Sequence, residues 1–296
     1  MKNSRMTSFQ LIIILPLVSM LIAKEPIGTE QNLLINNNRR DNASPSISVM
    51  NINNLAYWIA KDGAYTTSGS PNSVQADYPI FTGGLIYADG ILWGAKVSGD
   101  GIDQRVRVGG SYYYHGLKAG RVITDENGMV LGSHDPASNH VWRVRRDWET
   151  GDLSLDAANY YGHTTASEVS EDQIASVREQ YEYDWINWPA PWGAPYEDVD
   201  GDGSYDPATD IPGEPGADQT VWIVANDVPT IVSDGNDGLT IGDSLAYLPT
   251  SNSLFDSDPI GIELQISMWG YALGADKPLG NTVFKRAKLV YTGLPN

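Results

Sequence analysis

The tightest constraint on this chain's fold lies in Tyr196–Gly213, YEDVDGDGSYDPATDIPG. Asp198, Asp200 and Asp202 occupy alternate positions, Gly203 follows, and Asp206 and Asp210 come next. So many carboxylates in one turn repel one another unless a hard cation with oxygen ligands neutralises them, and calcium is the usual one. Counted from Asp198, positions 1, 3, 5 and 9 hold Asp198, Asp200, Asp202 and Asp206; position 6 is Gly203, and Ser204 at position 7 offers its carbonyl. This is the ligand order of an EF-hand loop. Thr209 stands at position 12, where a bidentate Glu belongs, and Asp210 is one residue late. Pro191 and Pro195 before the loop, and Pro207 and Pro212 in or after it, break helix on both sides.

The pattern therefore predicts a lone calcium loop of the dockerin or thrombospondin-repeat style between β elements. Its ligands would be Asp198, Asp200, Asp202, Ser204, Asp206 and Asp210. With the last ligand displaced, the affinity expected is on the order of 10⁻⁴–10⁻³ M. The competing reading is a polar turn without metal, since Asp and Gly are also favoured there.

Charge and export signals set the context. The chain of 296 residues carries a formal charge of −18 and no cysteine. No Lys or Arg occurs between Arg178 and Lys277, while the same stretch holds 19 Asp and Glu. A surface this acidic excludes nucleic acid as a partner, because phosphate contacts need a basic face. Lys2 and Arg5 ahead of the apolar run Leu11–Ala23 read as a Sec export signal over residues 1–23, the run being short for a membrane span. Residues 24–48, rich in Asn and Ser, read as a flexible leader. No later stretch is apolar enough to span a bilayer. Without cysteine, cross-linking must come from packing or metal.

From residue 49 onward the pattern is mainly β. Ser46–Ala60 reads as one or two strands, and Gly84–Val97 as a hairpin turning at Asp89-Gly90. Arg121–Leu131 reads as a second hairpin, turning at Asn127-Gly128. Val141–Asp147 alternates Trp142 and Val144 against Arg143 and Arg145, as a half-buried strand does. Gln219–Ala225 is continuously apolar, the mark of a fully buried strand. Gly261–Gly270 sets Ile262, Leu264, Ile266 and Met268 against polar neighbours, and Asn281–Tyr291 is a last strand. One amphipathic helix is signalled. Ser170 and Gln173 can form a capping box, and Ile174, Val177, Tyr181 and Trp185 share a face. Together these predict a β-sandwich-like domain over 49–296, divisible at about residue 165 into 49–165 and 166–296.

Several blocks taken in order resemble one family. They are NINNLAYW, GGLIYADGILWGAKV, RVGGSYYYHGLKAG, WRVRRDW, QYEYDWINWP, the stretch GAPYEDVDGDGSYDPATDIPGEPGADQTVWIVAND, PIGIELQISMWGYA and LGNTVFKRAKLVYTG. The chain is similar over residues 48–294 to the N-terminal part of large uncharacterised secreted proteins of Bacteroidota and related lineages. Those proteins often end in a type IX secretion sorting domain. The resemblance implies a secreted or cell-surface location, and further C-terminal domains of the same polypeptide beyond Asn296. It implies no activity.

Other residues invite functional readings that the sequence carries less far. Trp188 and Trp192, in the proline-stiffened loop WPAPWGAP, are the candidates for stacking a sugar ring, against packing over the helix and the sheet edge as large aromatics usually do. A glycosidase would need two carboxylates across a cleft, such as Asp147 and Glu149 beside Trp148 or Glu182 and Asp184 beside Trp185. His134 and His140 lack a third ligand at zinc spacing and read as surface residues, and His115 and His163 are isolated. Ser233–Gly238 reads as a plain acidic turn, and Asp256 and Asp258 as solvated or turn-forming. No catalytic constellation stands out. The expected role is a secreted structural or adhesive module stabilised by calcium, facing cell-surface polysaccharide or other matrix components. The alternative is a glycan-binding or glycan-degrading module.

Overall fold

A computed structural model describes residues 10–12, 47–64, 74–96, 106–111, 117–128, 130–132, 138–228, 231–233, 239–241 and 257–293. The rest of the expected export signal and leader, His115, His134 and most of the second acidic turn lie outside them.

The described chain is mainly β. Its first strands are β1 (Gln10–Ile12), β2 (Ile47–Met50), β3 (Ala56–Ala60), β4 (Ala76–Asp77), β5 (Gly84–Ile86), β6 (Leu92–Lys96) and β7 (Val106–Gly110). β8 (Lys118–Ala119), β9 (Ile123–Thr124), β10 (Val130–Gly132) and β11 (Trp142–Arg145) follow. Helices α1 (Ser154–Tyr161) and α2 (Glu171–Ile186) come next. Beyond them lie β12 (Tyr196–Glu197), β13 (Ile211–Pro212), β14 (Gln219–Asn226), β15 (Ile231–Ser233), β16 (Leu239–Ile241), β17 (Ile262–Gly270) and β18 (Phe284–Tyr291).

The organising sheet is antiparallel in the order β11-β14-β17-β18, with β8 also beside β14. Thus β8 and β11, from the first expected half, share a sheet with strands of the second. β14 is buried along its whole length, as its continuous apolar run requires. On one face, Val221, Ile223 and Ala225 of β14 and Ile262, Leu264, Ile266 and Met268 of β17 pack with Met50, Tyr57, Ile59, Trp93 and Ala95. Those partners come from two further sheets, β2-β3-β4-β5 and β1-β6-β7.

The other face of the central sheet holds Trp142, Val144, Trp222 and Val224 against Trp188 and Ala194. β17 was expected to bury one face only, yet Glu263, Gln265 and Ser267 are buried too. Glu263 accepts from Val122 N–H at 2.9 Å, while the aromatic and proline loop covers Gln265, whose Nε2 donates to the Trp192 carbonyl at 2.8 Å. Gly193 makes that approach possible, with φ of +102° and no room for a Cβ beside the Gln265 side chain.

Two expectations change further. Asp89-Gly90 does not turn a hairpin: β5 pairs with β4, whereas β6 pairs with β1 and β7. An apolar–Asp-Gly–apolar pattern suits a crossing between sheets equally well, because it fixes the turn and not the partner strand. Among the described residues two α-helices are present where one was expected. α1 ends on Gly162 in the left-handed conformation, and its Asp156, Ala157, Ala158 and Asn159 are buried. By contrast, the Asn127-Gly128 hairpin forms, with Thr124 opposite Val130 and Gly128 N–H donating to the Asp125 carbonyl. The Ser170–Gln173 capping box is also complete.

Candidate metal centre

The acidic loop occupies residues 198–210, between β12 and β13, whose pairing of Tyr196 with Pro212 and Glu197 with Ile211 closes its base. The helix end fastens its back. Tyr205 donates to the Trp185 carbonyl at 2.6 Å, and Trp185 Nε1 donates to the Pro207 carbonyl at 3.2 Å. Tyr205 also meets Tyr196 edge-on, with centroids 5.6 Å apart. Sequence reasoning placed Trp185 on the helix's apolar face and gave Tyr205 no role. The recurrence of aromatics on both sides of the loop was the available signal.

Inside the loop the carboxylates fold the backbone around themselves. Asp198 accepts from Gly201 N–H at 2.7 Å and from Gly203 N–H at 2.9 Å, both glycines having positive φ. Asp200 accepts from Asp202 N–H, and Asp202 from Ser204 N–H at 2.7 Å. One oxygen from each of Asp198, Asp200 and Asp202 lies within 4.8 Å of the others, and all three side chains are exposed. The hydrogen bond from Asp202 N–H draws the Asp200 carboxyl down. Desolvation and the charges of Asp202, Asp210 and Asp198 outweigh it, so Asp200 sits above its ordinary range. Tyr205 is likewise raised, first by burial and then by Asp210 and Asp206. Anionic crowding of this sort favours a bound cation.

The remaining sequence candidates are placed differently. Asp210, 2 % exposed, accepts from Val199 N–H and Asp206 N–H at 2.9 Å each, so it clasps the two ends of the loop. Asp206 caps Ala208 N–H. Neither joins the group of three, and Ser204 contributes its N–H to Asp202. The donor set thus fits a hard cation through three exposed carboxylates, with Asp210 holding the loop's shape from behind.

Trp188 is 3 % exposed and its Nε1 donates to the Pro195 carbonyl at 2.7 Å. Its ring therefore belongs to the core and presents no stacking face. Trp192 is half-buried, edge-on to Trp142, with the Arg121 guanidinium 5.1 Å from its ring. Asp184 is fully buried and bonded to His140 Nε2 at 2.7 Å and to Arg143 N–H at 2.8 Å, which removes it from any cleft. His140, expected at the surface, is buried because α2 lies across the start of β11. Asp147 pairs with Arg145 at 2.6 Å.

Missed from sequence was the buried polar cluster beneath the helices. Arg143 pairs with Asp156, Tyr181 donates to Asp156 at 2.5 Å, and Gln219 donates to Tyr181 at 2.7 Å. Asn51 bridges Arg143, Asn159 and Gln219. Alternation in VWRVRR pointed Arg143 at solvent, and nothing local shows that two helices cover that face.

No helix among the described residues is long and apolar enough to cross a membrane. Compared with known proteins, the chain matches no family model, no curated protein and no solved structure.

Proposed function

We propose that the chain is a secreted or cell-surface structural module, β-sandwich-like in its layering, in which calcium at Asp198, Asp200 and Asp202 fastens the loop between α2 and β14. The observation that carries this reading is the convergence of those three exposed carboxylates in a loop whose base and back are already held. A cation there would offset the charges of Asp202, Asp210 and Asp198 that, after desolvation, raise Asp200, and would join the helix end to the buried strand. A sensor needs helices that move, and prolines flank this loop on both sides. The role is therefore mechanical. Its partners would be surface polysaccharide or other matrix components, and further domains of the same polypeptide.

A thermal melt tests the fastening. Taking a dissociation constant of about 10⁻³ M, ~10 mM calcium should stabilise by about 1.4 kcal/mol, raising the midpoint by roughly 3–6 °C. Chelator should reverse the shift, and Asp200→Asn should abolish it. A midpoint indifferent to calcium and chelator refutes the reading.

One observation favours the glycan alternative. Trp148 and Ile174 line an open groove of about 390 Å³ with Glu171, Glu179, Glu182 and Arg178. An aromatic floor edged by hydrogen-bonding groups suits a sugar. Polysaccharide binding lost in Trp148→Ala would support that alternative, binding unchanged in Trp148→Ala and Trp192→Ala would move the site elsewhere, and no binding to any polysaccharide would remove the alternative.

A further inference from the structure

The two edges of the central sheet are treated differently. At one, the Arg143 N–H of β11 is taken up by the Asp184 carboxylate of α2 at 2.8 Å, so a helix closes the edge. At the other lies β18, eight residues long, paired among the described residues only with β17. Its register runs without a bulge from Ile262 opposite Tyr291 to Trp269 opposite Phe284.

The phase of its hydrogen bonding follows from one bond. Thr292 N–H donates to the Gly261 carbonyl at 2.8 Å. Antiparallel strands alternate bonded and outward residues, so Val290, Lys288, Arg286 and Phe284 face β17. Lys285, Ala287 and Leu289 then turn their N–H and C=O groups outward. The middle of the strand, Arg286-Ala287-Lys288, is exposed. A long unbulged edge of this kind is a template for an added strand.

Charge selects what can be added. Residues 277–296 contain Lys277, Lys285, Arg286 and Lys288 and no Asp or Glu, in a chain of net −18. Arg286 and Lys288, two apart, share one face of β18. Arg286 reaches Glu214 with one nitrogen at 2.5 Å, yet its side chain is 54 % exposed. Lys285, on the opposite face, is paired with Asp89 at 2.7 Å.

A second copy of β18 is a poor occupant. The antiparallel registers that align the strand's middle set Arg286 against Arg286, Arg286 against Lys288, or Lys288 against Lys288, and like charges directly opposite are destabilising. We propose that the outward edge of β18 docks an extended acidic segment of another chain, with Asp or Glu at alternate positions over Arg286 and Lys288 and its backbone bonded to Lys285, Ala287 and Leu289.

The test is fluorescence anisotropy of the purified chain titrated with a labelled, end-capped peptide of alternating glutamate and valine. Saturable binding is expected, falling roughly ten-fold when lysine replaces glutamate in the peptide and roughly five-fold in Lys288→Glu. Ala287→Pro removes an outward donor without touching the β17 ladder, so binding should fall about five-fold with the thermal midpoint held. Should that variant melt early, N-methylation of the peptide replaces it. Methyl groups on residues facing β18 should abolish binding, and those on alternate residues should not. No binding, equal affinity for the glutamate and lysine peptides, or indifference to the methylation pattern overturns the proposal. So does a sedimenting dimer that Ala287→Pro dissociates, which would assign the edge to a second copy.

Discussion

Substituting Asp156 by Asn probes how the two helices are held to the sheet. Asp156 and Arg143 are 1 % and 3 % exposed, and the pair is enclosed by Asn51, Tyr181 and Gln219. Burial already draws the Arg143 guanidinium below its ordinary range, opposed mainly by nearby Tyr181 and Tyr160. Its Nε has no hydrogen-bond partner, and Arg145 approaches Asp156 only at 3.6 Å. Asn keeps the shape and one acceptor for the Tyr181 hydroxyl while removing the charge. Orphaning a buried ion costs about 3–5 kcal/mol. The Arg143 guanidinium keeps its place 4.8 Å from the Tyr181 ring centre, which argues for the lower end. A loss of about 3 kcal/mol corresponds to a midpoint lower by roughly 6–12 °C in a domain of this size.

Urea unfolding followed by tryptophan fluorescence at pH 7 would measure it, with Arg143→Met added as the partner change. The double variant should be more stable than Asp156→Asn alone, because the uncompensated charge has gone. High salt should leave the cost of Asp156→Asn nearly unchanged, since buried pairs are poorly screened. A cost under about 1 kcal/mol for Asp156→Asn, or strictly additive single costs, would refute the coupling.

Two further outcomes follow from buried or capping groups. Asp227, buried at the end of β14, accepts from Ile260 N–H at 3.0 Å and Ile262 N–H at 2.5 Å, yet desolvation pushes its carboxyl up to about 6. The unfolded value is about 3.9, so the folded state binds the extra proton; this contribution is complete below about pH 4 and lost as pH rises through 6, by up to about 3 kcal/mol. Asp227→Asn should therefore differ from the parent by an amount that changes across that window, and parallel stability–pH curves would refute the assignment. Ser170→Ala breaks the capping box of α2 and should cost about 1 kcal/mol in thermal or urea unfolding; an unchanged midpoint would mean that Gln173, which also meets His163 at 3.1 Å, holds the helix start alone.

What the sequence made legible was whatever is decided locally. The buried run of β14, the register-setting turn at Asn127-Gly128 and the capping box of α2 each follow from neighbours within a few residues. The same holds for the cluster of Asp198, Asp200 and Asp202, whose alternate spacing brings them together once glycines allow the turn. What stayed hidden depends on which distant element lies on top. Gln265 and Arg143 both sit at positions that alternation assigns to solvent, and both are buried because a loop or a helix pair returns over them. His140 was misplaced for the same reason, while Trp188 takes the packing role that stood against stacking. Asp210 shows the limit within the site itself: its place near the twelfth ligand position suggested metal binding, whereas a carboxylate accepting two backbone N–H groups serves the loop equally well.

The placement of the cations ties these features together. Arg146 joins the end of β11 to Glu197 at the base of the acidic loop and to the Ala217 carbonyl. Arg178 of α2 donates to the Trp148 and Gly151 carbonyls, and Arg143 reaches Asp156 of α1. Lys285 and Arg286 of β18 reach Asp89 and Glu214. In each case a positive side chain links segments that the sheet ladders alone do not join. A cysteine-free chain with 37 acids and 19 Lys and Arg thus places several of its cations where they cross-link the fold. On this account, neutralising one exposed Asp of the loop should cost little without calcium, whereas neutralising a linking cation should cost stability with or without it.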